Sequence, residues 1–241
     1  MSQTLTIARR ELASLFYSPI AYIVIALFAF GTTLIFFSSF TPDAPATMRP
    51  TFEAIVWFMI FLVPAVSMRL ISEEYRAGTI EPLMTSPIDE TKIVLGKWLG
   101  ALAFFAALLL PVVVLIGVLQ LNSSPDYGPI LTGLAGLLLV GGLYLAIGTF
   151  ASATTQKQII AFLLAIFIIC LFTIALYFLP RSNIAEAYPG IKQAMFYLNV
   201  NMQFEAFNKG LIDTSNFVYF ASGTAFFLFL AVLVLQSRRW R

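Results

Sequence analysis

Six stretches of this chain are apolar over the length a helix needs to cross the hydrocarbon core of a bilayer: 20–40, 52–69, 93–121, 129–151, 158–179 and 216–235. Each is expected to span a membrane. At about 1.5 Å per residue the third exceeds the core, so its first turns should project beyond the membrane. Pro64 in the second span and Pro111 in the third each remove one rung of helix hydrogen bonding, which predicts kinks that a neighbouring helix must support. The fourth span carries Gly133, Gly136, Gly141, Gly142 and Gly148. Small residues let helix backbones approach closely, so this span is expected inside the bundle. Gly96 and Gly100 form a GxxxG at the head of the third span, a weak signal by itself.

The segments between the spans are informative in three places. Residues 4–18 put Leu5, Ala8, Leu12 and Leu15/Phe16 on one helical face and Arg9, Arg10 and Glu11 towards another, the pattern of a helix lying in the membrane interface. Pro19 then allows a turn into the bilayer. A cleaved signal peptide is the competing reading, but 20–40 is long for a signal core and Ala44-Pro45-Ala46 is badly placed as a cleavage site. A short connection with Pro42, Pro45 and Pro50 leads to the second span. Residues 180–215 are neither oily enough to span nor polar enough to be disordered. Within them Ile191, Met195 and Leu198, then Phe204, Phe207 and Leu211, recur at helical spacing. One or two short amphipathic helices, on the surface or dipping into the membrane, are expected, against the plainer alternative of a covering loop.

The third place is 69–97, the densest charge in the chain: Arg69, Glu73, Glu74, Arg76, Glu81, Asp89, Glu90, Lys92 and Lys97. Arg69 with Glu73 and Glu73 with Arg76 are spaced to pair along a helix continuing the second span. Gly78 suits a helix end that needs a left-handed residue. Ser86-Pro87-Ile88-Asp89 reads as a helix start, with serine as cap, proline in the first turn and a carboxylate three residues on. Between these signals lies the apolar piece Ile80 to Met84, with Ile80, Leu83 and Met84 expected at the tip of a compact protrusion. The alternative is an ordinary charged loop. Three successive helix boundary signals favour the structured protrusion and a docking role for it.

Composition agrees with a membrane protein: 60% of residues are hydrophobic and 11% charged, with a mean hydropathy of +0.90. That is more apolar surface than a soluble domain of 241 residues could bury. The net charge of +2 is spread over span ends, which gives no case for nucleic acid. With no histidine, His-dependent nucleophilic catalysis and the commonest zinc sites are excluded. The lone Cys170 cannot form an internal disulfide. Six spans place Arg9, Arg10, Arg69, Arg76, Lys92, Lys97, Lys157, Arg238, Arg239 and Arg241 on one side, and Arg49, Arg181, Lys192 and Lys209 on the other. This bias puts both termini and the 70–92 loop in the cytoplasm. No ionisable residue is expected well inside a span, where ion-coupled transporters need one. Gly96-Lys97-Trp98 is no phosphate loop, so energy must enter through another polypeptide.

The run SEEYRAGTIEPLMTSPIDETKIVLGKWLGAL resembles the signature region of ABC-2 type transporter permeases, and the likeness extends from ARRELASLFYSPIAY to QFEAFNKGLIDTSNFVYF. It looks closest to the permeases of gliding-motility-type ABC transporters. Pro82 departs from the leucine expected after Glu81. The resemblance implies an all-α integral membrane fold of the ABC-2, type V exporter-like kind: one domain over 1–241, with an interfacial connecting helix at 4–18, a coupling loop at 70–92 and an extracytoplasmic amphipathic segment at 180–215. It implies that Arg9, Arg10 and Glu11 belong to the connecting helix. Glu73, Glu74, Arg76, Gly78, Thr79, Ile80, Glu81, Leu83, Met84, Thr85, Ser86 and Pro87 would orient the loop or contact a separate ABC ATPase, present in two copies. ATP and Mg would be bound by that ATPase and no cofactor by this chain. A second permease copy, identical or homologous, would complete the pathway in a bacterial inner membrane, with room for an accessory membrane or periplasmic protein. Transport, with export as the expected direction, contrasts with a non-transporting anchor or scaffold for a cytoplasmic partner.

Overall fold

The computed structural model describes residues 3–39, 47–79, 89–181 and 189–239. Ile80, Glu81, Leu83, Met84, Thr85, Ser86 and Pro87 of the expected contact surface lie outside the described residues, as do Pro42, Pro45 and positions 182–188. All regular structure among the described residues is helical: α1 Gln3–Tyr17, α2 Pro19–Ser39, α3 Arg49–Ser67, α4 Ser72–Arg76, α5 Glu90–Leu108, α6 Leu110–Asn122, α7 Tyr127–Thr154, α8 Gln158–Cys170, α9 Pro189–Leu198, α10 Val200–Asn208 and α11 Thr214–Arg239. Six stretches are long and apolar enough to cross a membrane, α3 with α4 counting as one, α5 with α6 as another, and α8 continuing through the π-helical turn Leu171–Ala175 and a short helix Leu176–Phe178 as a third.

The glycine-rich α7 is the most buried of the six and forms the axis of the bundle. Its glycines face bulky neighbours at van der Waals distance. A Cβ at Gly133 would come within 2.5 Å of the Phe52 ring on α3, and one at Gly136 within 2.8 Å of Phe207 Cβ on α10. Gly141 receives the Phe105 ring of α5, and Gly148 receives Ser67 of α3. Burial of the α7 helix therefore follows from what its sequence lacks: side chains that would hold these neighbours off.

The two prolines act differently. Helix α3 continues through Pro64, and Ser67 Oγ donates to the Val63 carbonyl at 2.9 Å in the same turn. The third span instead divides at Leu109, so that Pro111 sits in the first turn of α6, where its missing N–H costs nothing. Helix α5 packs against α1, α7 and α11, whereas α6 packs mainly against α2.

At the fifth span, α8 passes into a π-helical turn, Leu171–Ala175. There the buried Thr173 is held from three directions. Its hydroxyl lies 2.7 Å from Tyr144 Oη, and its carbonyl accepts from Asn199 Nδ2 at 3.2 Å and Asn201 Nδ2 at 3.4 Å. Asn199 also caps α10, its Oδ1 accepting from Met202 N. The 180–215 segment thus supplies two short helices. Exposed Ile191 and Leu198 leave α9 at the surface, as Leu211 does the turn after α10, while Phe204 and Phe207 of α10 are buried against α7.

Candidate functional site

Helix α1 packs against the bundle. It lies along α5 at the spot where Gly96 and Gly100 remove the side chains that would separate them. A Cβ on Gly96 would meet Ile7 Cβ at 2.8 Å and the Thr4 carbonyl at 2.9 Å; one on Gly100 would meet the Ala8 carbonyl at 2.7 Å and Glu11 Cβ at 2.8 Å. The buried residues of α1 are Ile7, Ala8 and Leu15, with Leu12 and Phe16 packed partly against the core. Leu5, expected on the apolar face, is exposed. The apolar stripe is rotated towards α5 because a protein neighbour, rather than a flat bilayer surface, sets its orientation.

That close approach carries charge with it. Lys97, one residue after Gly96, has a side chain only 2% exposed, and its Nζ lies 3.0 Å from Glu11 Oε2 and 2.9 Å from Glu74 Oε1. Arg10 Nη2 reaches the same Glu74 oxygen at 3.3 Å. Two cations and two carboxylates therefore join α1, α4 and α5 in one neutral bridge. Glu74 Oε2 is buried without a hydrogen-bond partner among the described residues, so all of its pairing runs through Oε1. Farther out, Lys92 Nζ donates to Gln3 Oε1 at 3.1 Å and pairs with Asp89.

Helix α4 is held in place from behind. Between α3 and α4 the chain turns at 68–71, and the buried Ser152 of α7 serves this turn. Its Oγ accepts from Ile71 N and Ser72 N, both at 3.0 Å, and donates to the Met68 carbonyl at 3.0 Å. Arg69 Nη1 donates to Ser18 Oγ at 2.6 Å, tying the same turn to the joint between α1 and α2. Replacing Ser152 with alanine would strand two buried N–H groups, and is expected to destabilise the chain by about 1–3 kcal/mol, read as a lowered unfolding midpoint in detergent.

The residues singled out in the sequence separate into three groups. Arg10, Glu11 and Glu74 meet in the bridge. Glu73 and Arg76 are exposed, and neither the Arg69–Glu73 nor the Glu73–Arg76 pair forms. For Arg69 the reason is geometric: the turn at 68–71 interrupts the helix on which its spacing to Glu73 relied, and Arg69 is drawn to Ser18, whereas Glu73 and Arg76 lie together on the single turn of α4 and both point to solvent. Arg9 is also exposed. Gly78 ends α4 at φ +69°, with Thr79 N donating to the Glu74 carbonyl at 3.0 Å, a Schellman-type closure. The sequence reading counted Lys97 only among the charges of 69–97 and gave no role to Ser152 or Ser18. The signal for Lys97 was its place beside Gly96, at the edge of the face that meets α1.

Among the described residues no three acidic, cysteine or histidine side chains converge on a common point. On another face, α5, α7 and α11 bound an apolar groove of about 1250 Å³, where Trp98 Nε1 is occupied by the Gly142 carbonyl at 3.0 Å.

Six helices long and apolar enough to cross a membrane, with a charged, tethered helical stem at one end, make this a multi-pass membrane protein. The chain belongs to the ABC-2 family of transporter proteins, whose family model matches residues 5–236. This family supplies the membrane component of ABC transporters and normally works with an ABC ATPase. No curated protein gives a significant sequence match.

Proposed function

We propose that this chain is the permease subunit of an ATP-driven exporter of the gliding-motility type. Two copies, or one copy and a homologue, form the pathway in a bacterial inner membrane with two ABC ATPase subunits beneath them. ATP and Mg act on those subunits and no bond chemistry falls to this chain. Both termini and the 70–92 loop face the cytoplasm, as the distribution of Lys and Arg favours. Residues 180–215 face outward. The chain acts as a single permease domain, 1–241.

The observation that carries this reading is the bridge centred on Lys97. Glu74 lies in the stem leading to 80–88, so a push on that segment reaches α5 through Lys97 and α1 through Arg10. In this scheme Glu73, Arg76 and Thr79, exposed beside Gly78, face the ATPase together with Ile80, Glu81, Leu83, Met84, Thr85, Ser86 and Pro87. Arg9 does so from the interfacial helix. ATP-driven closure of the ATPases moves the stem, and the second and third spans, yielding at Pro64 and Pro111, carry the motion into the pathway.

The test is reconstitution of the chain with its ATPase in vesicles. Replacing Glu74 and Arg76 together with alanine should leave an assembled complex that has lost about 5–150-fold of its coupled activity, the range set by a coupling free energy of about 1–3 kcal/mol. Transport and hydrolysis that stay linked would refute the proposal. A partner that binds but never hydrolyses ATP would make the chain an anchor instead.

A further inference from the structure

Beyond the first turn of α3, where Arg49 and Pro50 are exposed, the exposed residues form one stripe: Glu53, Trp57 and Phe61, at successive spacings of four. Such spacing stacks side chains on one helical face. The stripe lies between the side of α3 that meets α2, at Phe58 against Gly31, and the side that meets α7, at Phe52 against Gly133 and Ser67 against Gly148. Trp57 is 40% and Phe61 60% exposed. From Glu53 to Phe61 the stripe runs about 12 Å along the helix.

A carboxylate on a spanning helix is costly unless something stabilises its charge. Glu53 forms no ion pair within 4.0 Å among the described residues. Arg49, exposed one turn earlier on the same helix, lies beyond that distance, and Lys209 is engaged by Glu205. Its hydrogen bond comes instead from Asn208 at the end of α10, whose Nδ2 donates to Glu53 Oε1 at 3.0 Å and to the Arg49 carbonyl at 3.3 Å. Asn208 is only 2% exposed. A buried amide thus orients an exposed carboxylate that no described cation contacts within 4.0 Å. Below it an indole and a phenyl ring offer a cation–π face and an apolar track.

We infer that Glu53, Trp57 and Phe61 form a recognition site for an amphiphile with a cationic, ammonium-type head, Glu53 pairing with the charge and the rings taking the head's flank and the tail. Asn208 is the positioning residue. Charge complementarity commits the site to this occupant, since an anion would meet the carboxylate and a neutral chain would leave it unpaired. As the cargo site of the permease, it rests on the function proposed above; as a binding site, it does not.

The full chain, with its ATPase, is placed in nanodiscs of neutral lipid and titrated with dodecyltrimethylammonium, dodecylphosphocholine and dodecyl maltoside. Wild type should bind the ammonium compound at least about tenfold more tightly than Glu53→Gln, the usual scale for a hydrogen-bonded charge. Glu53→Asp should restore most of that affinity, Trp57→Leu should weaken it, and maltoside binding should not change in any variant. Phosphocholine binding that also depends on Glu53 would support the site with a lipid headgroup as source; binding that does not would support it for free cations. Equal ammonium binding by wild type and Glu53→Gln overturns the inference, as does an equal loss of maltoside binding, which would mark an apolar face only. Dimer dissociation in Glu53→Gln with cation affinity unchanged also overturns it, assigning the stripe to a second copy. Coupled ATP hydrolysis without charge-selective binding removes this inference alone. Charge-selective binding by a chain that never engages an ATPase removes the transporter reading alone.

Discussion

Replacing Lys97 with methionine should destabilise the chain by about 3 kcal/mol, the low end for removing one partner of a buried ion pair, because two carboxylates are left without their cation. Glu11 and Glu74 side chains remain 12% and 15% exposed, and that residual hydration keeps the loss from being larger. The measurement is the denaturation midpoint of the detergent-solubilised chain. Adding Glu11→Gln and Glu74→Gln should recover most of the stability, since the triple variant buries no unpaired charge, while coupled activity stays lost. A midpoint that does not move in the single variant would mean that packing alone holds α1 and the stem together. Recovery of both stability and coupling in the triple variant would show that the charges are dispensable to transmission.

Valine at both Gly96 and Gly100 should separate α1 from α5. The added Cβ atoms would meet backbone carbonyls at 2.9 and 2.7 Å, and neither Thr4 nor Ala8 can yield by rotating a side chain. Overpacking of this kind costs about 1–3 kcal/mol, and since the contact of α1 with α5 is its main attachment to the bundle, the relief is displacement of α1 along that seam. Cysteines replacing Gln3 and Lys92, whose side chains touch at 3.1 Å, report on the separation. A short bifunctional thiol reagent should join them in the otherwise unchanged chain and fail in the valine variant, with coupled activity falling alongside. Efficient joining in both would place α1 firmly on α5 without the glycines.

The six spans were legible in the sequence because lipid imposes a simple rule, twenty or so apolar residues per crossing, and the same holds for α7, whose glycines announce close neighbours. The break at Leu109 was legible as a proline, although not its form: a kink and a divided helix share one sequence signal. What could not be read was pairing across long separations. Arg69 and Glu73 satisfied a local rule that the turn at 68–71 annulled, while the partners that do meet, Glu11 with Lys97 and Ile71 with Ser152, lie more than eighty residues apart. Serine is an ordinary small residue in an apolar helix until one knows which turn it faces. Asn208 and Glu53 are 155 residues apart and illustrate the same limit. Charge balance hints that such partners exist; only the fold names them.

The division of the third span has a mechanical corollary. Its first half is bound to α1, α7 and α11 and its second mainly to α2, so the two halves answer to different companions. Under the coupling proposed above, a displacement delivered at Lys97 would carry α5 together with α1, α7 and α11 while α6 stays with α2, the seam lying at Leu109. The third span would then behave as two short rods sharing a joint, one end holding still while the other works.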